Sequence, residues 1–579
     1  MRLERYALIG DCETAALVGD RGSIDWLCWP DFSSPACFAA LLGTKNNGRW
    51  IITPKHDLKR VTRKYRDHTL ILETTFETAS GVVRLTDFMP VRERHSDVVR
   101  IVRCLHGFVA MQMELCIRFD YGRTIPWTGP WKGNEWTAAA GTGSIYLRTR
   151  QRLRTEDSIA YADFVLHAGE QRSFTLTYVS APEPPPRRVN TQIALRQTER
   201  YWTEWCRQSH YRGPWKDIVE RSLITVKALT YRPTGGIVAA PTTSLPERIG
   251  GNRNWDYRYC WLRDASMMLE SLLLVGYHAE AKAWEQWLLQ SVGSDVRQMQ
   301  IMYGMHGERH LPECELPWLR GYHESGPVRI GNAASEQLQL DVYGEVADAI
   351  ATMARAKLRL DPRLRSLHEQ ITGYVASIAD KPASGMWEQR GIHRQFTYSK
   401  VMAWIALDHG VKAAETGVIN GPVAEWKRTR DRLRREILKH GFNRRLGSFV
   451  QSYHSARLDA ATLLIPIFGF LRPEDEHVRG TVRAVGKHLM RDGLIYRYQS
   501  QRGKEGEAAF LPCSFWYAQN LALAGRRVEA EKYFEKLLRL TSDVGLLSEE
   551  YSPRENQFLG NFPQALTHIA LISAARALT

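Results

Sequence analysis

The sequence predicts an N-terminal β-sandwich followed by an (α/α)6 barrel. Three observations carry this. Short, β-branched-rich runs fill residues 1–181, a proline-rich break follows, and from residue 214 the apolar spacing turns helical and stays so to the end.

A chain of 579 residues is too long for one core, since domains usually run to about 50–250 residues. In the first part, Thr69-Leu70-Ile71-Leu72-Glu73-Thr74-Thr75-Phe76 and Gly81-Val82-Val83-Arg84-Leu85-Thr86 flank the turn signal Ala79-Ser80-Gly81 and read as a hairpin. Further strand-like runs lie at 98–106, 111–119, 143–149, 159–166 and 172–179. Many short strands with Gly- and Asp-containing turns indicate a sandwich. Pro182-Glu183-Pro184-Pro185-Pro186-Arg187-Arg188 cannot continue a sheet or a helix and marks a spacer. The expected layout is a sandwich over 1–181, a linker with a bridging helix over 182–213, and a barrel over 214–579.

Twelve helices are predicted in the barrel, near 214–231, 263–276, 278–293, 336–357, 362–379, 398–416, 421–438, 458–466, 475–489, 513–525, 527–541 and 564–577. Leu338, Val342, Val346 and Ile350 show the i, i+4 spacing that marks them. The connections alternate in length. Those at 232–262, 294–335, 380–397, 441–457, 490–512 and 542–563 are long and rich in Gly, Trp, Tyr, His and Glu, whereas 277, 358–361, 417–420 and 526 are short. In such a barrel the long loops gather at one end, which is where a site is expected.

Composition narrows the class. Apolar residues make up 44% and charged residues 24%, as in globular proteins. No run of about 18 uncharged apolar residues occurs, so no membrane span is expected. Met1-Arg2-Leu3-Glu4-Arg5-Tyr6 lacks the apolar stretch of a cleavable signal. Nine scattered cysteines form no CxxC pair, which suits reduced buried thiols, a cytoplasmic setting and neither a zinc site nor a disulfide framework. The net charge of +15 is spread along the chain with only short basic runs, so a basic solvated surface is expected rather than a nucleic-acid or membrane partner. Phosphate-cradling glycine loops, HExxH and Gly-x-Ser-x-Gly are all missing, and no cofactor or metal is expected.

Three clusters carry chemistry. Gly250-Gly251-Asn252-Arg253-Asn254-Trp255-Asp256-Tyr257-Arg258-Tyr259-Cys260-Trp261-Leu262-Arg263-Asp264 interleaves aromatics with arginines and aspartates just before a helix. It suits a sugar, whose CH face stacks on rings while its hydroxyls meet fixed polar groups. The competing reading is Asp264 as a helix N-cap behind a salt-bridged loop. In Gly385-Met386-Trp387-Glu388-Gln389-Arg390-Gly391, an indole beside Glu388 would desolvate the carboxyl and favour its protonated form, unless Arg390 or Arg394 simply pairs with it. In Gly545-Leu546-Leu547-Ser548-Glu549-Glu550-Tyr551, continuing to Gly560-Asn561-Phe562-Pro563-Gln564-Ala565, either glutamate can supply the second carboxyl that glycoside cleavage needs, or both are solvent-facing charges. Loops entering helices at Arg329-Ile330-Gly331-Asn332-Ala333-Ala334-Ser335-Glu336 and Phe510-Leu511-Pro512-Cys513-Ser514-Phe515-Trp516 add Arg329, Asn332 and Trp516 as binding candidates beside capping and packing roles.

Together these clusters resemble glycoside hydrolase family 15, the glucoamylase and trehalase-like family, along essentially the whole chain. Ile9-Gly10-Asp11-Cys12-Glu13-Thr14-Ala15-Ala16-Leu17-Val18 and Gly22-Ser23-Ile24-Asp25-Trp26-Leu27-Cys28-Trp29-Pro30 are similar to the N-terminal module of its bacterial members. The resemblance implies an inverting, exo-acting α-glucoside hydrolase that releases β-D-glucose from a non-reducing end. Glu388 would be the general acid, Glu549 rather than Glu550 the general base, and Arg263 and Asp264 would hold the terminal glucose. Trp255, Tyr259, Trp261, Trp387, Gln389, Arg329, Asn332 and Trp516 complete the expected binding set. Gln389 departs from the second Glu of fungal glucoamylases. Inversion requires a carboxyl separation of roughly 6.5–9.5 Å, to admit a water. Glucans and trehalose share the inner subsite; the outer subsites are expected in 303–335, 380–397 and 496–510, with His306, Glu308, Glu313, Glu315, Trp318 and Tyr322 as candidates. The competing functions are a disaccharide phosphorylase of similar architecture and a non-catalytic glycan-binding protein.

Overall fold

The β-branched runs pair into fifteen antiparallel strands ending at Ser180 in the computed structural model, which describes residues 1–132, 135–141, 143–499 and 507–579. The expected hairpin forms from Leu72–Glu77 and Gly81–Phe88, with Leu72 opposite Asp87. The two runs at 98–106 and 111–119 are instead one strand, Ser96–Cys116. Gly107 lies between them at φ +67°, bending the chain without ending the ladder, so a residue that reads as a break acts as a hinge. The first half of this strand pairs with Gly81–Phe88 and Gln171–Ser180, the second with Arg49–Pro54 and Ile159–His167. One strand thereby belongs to both sheets of the sandwich.

A buried ion pair joins the two sheets. Arg100 donates to Asp87 Oδ1 (2.8 Å) and Oδ2 (3.2 Å), and across the sandwich to the carbonyls of Trp50 (3.0 Å) and Gly22 (2.8 Å). Both side chains are fully shielded from solvent.

Thirteen α-helices follow among the described residues: α1 (Thr191–Cys206), α2 (Lys216–Ala228), α3 (Leu262–Leu274), α4 (His278–Val292), α5 (Asp341–Arg355), α6 (Pro362–Ile378), α7 (Thr397–Glu415), α8 (Val423–Glu436), α9 (Leu464–Ile467), α10 (Glu476–His488), α11 (Leu511–Leu523), α12 (Arg527–Leu538) and α13 (Ala565–Ala577). Asn190 caps α1 by accepting from the N–H groups of Gln192 and Ile193. Ala194 and Leu195 of α1 pack on Ile71, Phe88, Val99 and Ile101 of the sandwich, while its Trp205 stacks on Tyr277 and donates to Glu280 of α4 at 2.6 Å. The helix thus bridges the two parts of the chain.

From α3 onward the odd-numbered helices close a ring, α3-α5-α7-α9-α11-α13 and back to α3, and the even-numbered ones lie outside it. Burial follows position. Thr397 to Asp408 of α7 are buried all round, whereas outer α10 buries one stripe, Val478, Thr481, Val482 and Val485 among it. Two helices differ from expectation. The one predicted from 336 starts at Asp341, because the Leu338 carbonyl accepts the Ser384 N–H instead of an intrahelical donor. The one predicted at 458–466 is a single 3-10 turn, Ala460–Leu463, plus the one-turn α9, ended by Gly469 at φ +77°.

All nine cysteines are unpaired; eight are buried and Cys314 is exposed. Among the described residues no helix is long and apolar enough to cross a membrane. The Trp26 motif serves the domain contact, its buried indole donating to the Pro241 carbonyl at 2.8 Å.

Candidate active site

The segment before α3 is extended, and extended backbone alternates its side chains. Asn254, Asp256, Arg258 and Cys260 are buried, whereas Trp255, Tyr257 and Tyr259 stay partly exposed. On the buried face Arg258 grips Asp256 through two bonds of 2.9 and 2.6 Å and reaches the Ser34 carbonyl of the sandwich at 3.1 Å. From the other face Tyr257 and Trp261 reach the two glutamates. Tyr257 donates its hydroxyl to Glu549 Oε1 at 2.6 Å, and Trp261 donates its indole N–H to Glu388 Oε1 at 2.7 Å. The two rings touch, with centroids 5.2 Å apart. Two carboxyls from loops 161 positions apart in sequence therefore meet at one aromatic pair, each with its own donor.

Glu388 lies at φ +54°, a left-handed conformation that non-glycine residues rarely adopt. Its carbonyl accepts from Gln337 Nε2 at 3.2 Å. Arg263 stands 3.6 Å from its carboxylate and is itself fixed to the Met386 carbonyl at 2.9 Å and to Asp264 at 2.8 Å. Burial raises the Glu388 carboxyl above its ordinary range, against the opposing pull of Arg263 and the Trp261 N–H. The indole that contacts the carboxylate is thus Trp261; Trp387 instead donates to Asp459 at 2.8 Å and packs on Phe510 and Trp516. Asp264 is no N-cap. Trp261 occupies that position, and Asp264 sits buried inside the first turn of α3.

The adjacent glutamates of the third cluster part company. Glu549 Oε2 accepts the Asn561 N–H at 2.9 Å, while Glu550 accepts from Arg497 at 2.8 Å. Arg497 also donates to Glu247 (2.7 Å) and Glu507 (2.9 Å) and packs over Trp387 and Phe510. Burial and the Glu247 charge push Glu549 up to about 7, against Tyr257, Arg497 and the Asn561 N–H. Carboxylate oxygens of Glu247, Glu549 and Glu550 lie within 4.8 Å of one another, a grouping that could hold a metal ion. The guanidinium already bonded to two of the three supplies the counter-charge, and its own positive charge would repel a dication.

The remaining predicted residues divide. Trp255 is faced by Arg390 (4.5 Å) and Arg329 (5.1 Å), and Glu313 pairs with both arginines, forming a rim that joins three loops. Gln389 lines a small cavity with Trp387, Tyr398 and Asp459. Trp516 floors the site beneath Trp387 and also lines a cavity inside the barrel with Glu270 and Phe468. Asn332 is spent on the Ala334 N–H and the Asp256 carbonyl, and Tyr259 lies toward Asp256 and Gly331, away from both glutamates. Among the outer candidates, Trp318 and Tyr322 donate to the carbonyls of Tyr121 and Met1, and His306 pairs with Asp31, so these three serve the domain contact. Glu308 closes a turn by accepting the His306 N–H, and Glu315 pairs with Arg329. Of the segment 496–510, residues 500–506 lie outside the described residues. Glu247, Arg497 and Gln337 were not singled out from sequence, whereas Tyr257 and Asn561 stood inside the first and third clusters without a role of their own.

Comparison with known proteins identifies the family and the fold. The model of glycosyl hydrolases family 15 matches residues 213–576, and that of the trehalase-like N-terminal domain matches residues 1–127. A trehalase of Mycobacterium tuberculosis is 35% identical over 98% of this chain and 88% of its own length, and one of Thermoplasma volcanium is 34% identical over 100% and 93%. A bacterial glucoamylase solved with acarbose shares the fold at a TM-score of 0.73 and 13% identity, over 100% of this chain and 94% of its own. The chain belongs to glycosyl hydrolase family 15.

Proposed function

We propose that this glycoside hydrolase cleaves trehalose by single displacement with inversion, Glu388 acting as general acid and Glu549 as general base. The observation that carries the reading is the Tyr257–Trp261 pair, which hands one donor to each of two glutamates on different loops. Glu388, raised by burial, keeps a proton to give to the glycosidic oxygen. Glu549, rather than Glu550, is the group to take a proton from water, because it shares the Tyr257–Trp261 pair with Glu388 whereas Glu550 is bonded to Arg497. Arg263 and Asp264, bonded to each other beside Glu388, are the groups to hold the terminal glucose. Trehalose is favoured over longer glucans because the relatives matched over nearly their full length are trehalases.

The proton balance is simple. Glu388 protonates the leaving oxygen, water adds to the anomeric carbon from the opposite face, and its proton passes to Glu549. Inversion of α,α-trehalose yields one β-glucose and one α-glucose, the latter from the leaving half. Proton NMR during the first turnovers should therefore show both anomers in equal amounts; α-glucose alone would indicate retention and end the proposal. A screen of trehalose against maltose, isomaltose and longer glucans should give trehalose the highest kcat/KM, and a preference for maltooligosaccharides would reassign the substrate while leaving the mechanism standing.

A further inference from the structure

Helix α5 opens on Asp341 and carries Glu345 one turn later, so the two side chains share a face. Both are completely buried. Asp341 Oδ1 accepts from Ser399 Oγ and Glu345 Oε1 from Tyr398 OH, each at 3.0 Å and each from α7. The second oxygens, Asp341 Oδ2 and Glu345 Oε2, have no hydrogen-bond partner. Leaving two neighbouring carboxylates buried, charged and half-bonded is costly, and a proton on Glu345 removes one of the two charges. Asp341 then keeps the negative charge, which the free N–H groups at the start of α5 favour.

The surroundings are short of cations. Arg263 and Asp264 face the pair from α3, and Glu388 lies beyond them on the acid loop. Helix α7 adds Tyr398 and Ser399, but its Lys400 turns away to the carbonyls of Ala379 and Lys381. Tyr374 of α6 meets Tyr343 rather than the pair, and Asp348, two turns along α5, is bonded to His409. Arg263 is therefore the one cation that the described residues set against Asp264, Asp341, Glu345 and Glu388.

We infer that Asp341, with Glu345 as its proton-bearing partner, is a positioning residue whose negative charge behind Arg263 keeps Glu388 protonated at pH values where a lone carboxyl would ionise. The inference rests on the reading of Glu388 as the acid. Burial raises Asp341 to about 6 and Glu345 further, and Asp341 is among the charges that raise Glu388.

The test is the pH profile of kcat/KM on trehalose for the full-length protein and its Asp341→Asn variant. Glu388 works as acid only while protonated, so activity falls as pH rises through its pKa. Removing the Asp341 charge lowers that pKa, and the alkaline limb should move down by about one pH unit. Below about 6 Asp341 is itself protonated, so the two profiles should converge there. An unmoved limb, or equal loss at every pH, overturns the inference. Should Asp341→Asn not fold, Ser399→Ala, which strips the charged form of a donor, should shift the limb the same way by less; no shift overturns it equally. Glu388→Gln separates the two claims. Retained turnover there defeats the acid assignment itself, whereas an inactive Glu388→Gln beside an unmoved Asp341→Asn limb defeats only the role of Asp341.

Discussion

Arg100 in the sandwich and Arg497 in the barrel are both buried against carboxylates, yet their surroundings differ in charge balance. Arg100 meets one carboxylate, Asp87, and two carbonyls, so each charge is matched and no proton need be shared. Arg497 serves Glu247, Glu507 and Glu550, Arg253 pairs with Glu247 and Glu507 as well, and with Glu549 beside them the four carboxylates outnumber the two guanidiniums. A matched pair ties two sheets together. An unmatched cluster has to retain protons near neutrality, which is the condition a general base needs for turnover around pH 7.

Substitutions in the two regions should therefore fail differently. The largest effect is expected from Glu549→Gln or Glu388→Gln, each costing about 10²–10⁴-fold or more in kcat with the melting temperature little changed. Steady-state kinetics and thermal melting check both halves of that statement. Next comes Asp87→Asn, which strands the Arg100 charge inside the sandwich. It should cost about 3–5 kcal/mol in urea unfolding of the sandwich while kcat of the folded protein holds.

Glu247→Gln sharpens the comparison. In the proposed role Glu549 must be ionised to act, so activity should fall as pH drops through its pKa of about 7. Removing the neighbouring negative charge lets Glu549 ionise at lower pH, and the acidic limb of kcat/KM should shift down by about one unit. A shift upward would mean that Glu247 acts mainly by holding Arg497 in place. The smallest effect is expected at the rim. Arg390→Ala removes a half-exposed ion pair to Glu313 and one face of the Trp255 contact, and should raise KM by about two- to fivefold with kcat nearly constant.

Much of this architecture was legible in the sequence because it depends on local period. The change from alternating to helical spacing near residue 214 and the alternation of long and short loops follow from which face each element buries. Where the reading failed, a contact between distant residues had overruled a local rule. Gly107 looked like a strand end but is a hinge held by partners on both sides, and Leu338 left its helix because the Ser384 N–H claimed its carbonyl. The site divides in the same way. Its aromatic clusters stood out as composition. The Glu247–Arg497–Glu550 network did not, since its members sit 250 and 53 positions apart in loops without period.

The left-handed backbone at Glu388 has a practical consequence. An ordinary L-residue held there stores about 1–2 kcal/mol that glycine, and to a lesser degree asparagine, would not. The protein therefore holds this buried carboxyl, the proposed acid, at some expense in robustness, and the variants that remove it, Glu388→Gly and Glu388→Asn, should melt higher than the parent. Such variants would make durable decoys, able to hold an uncut sugar long enough for it to be photographed in a crystal.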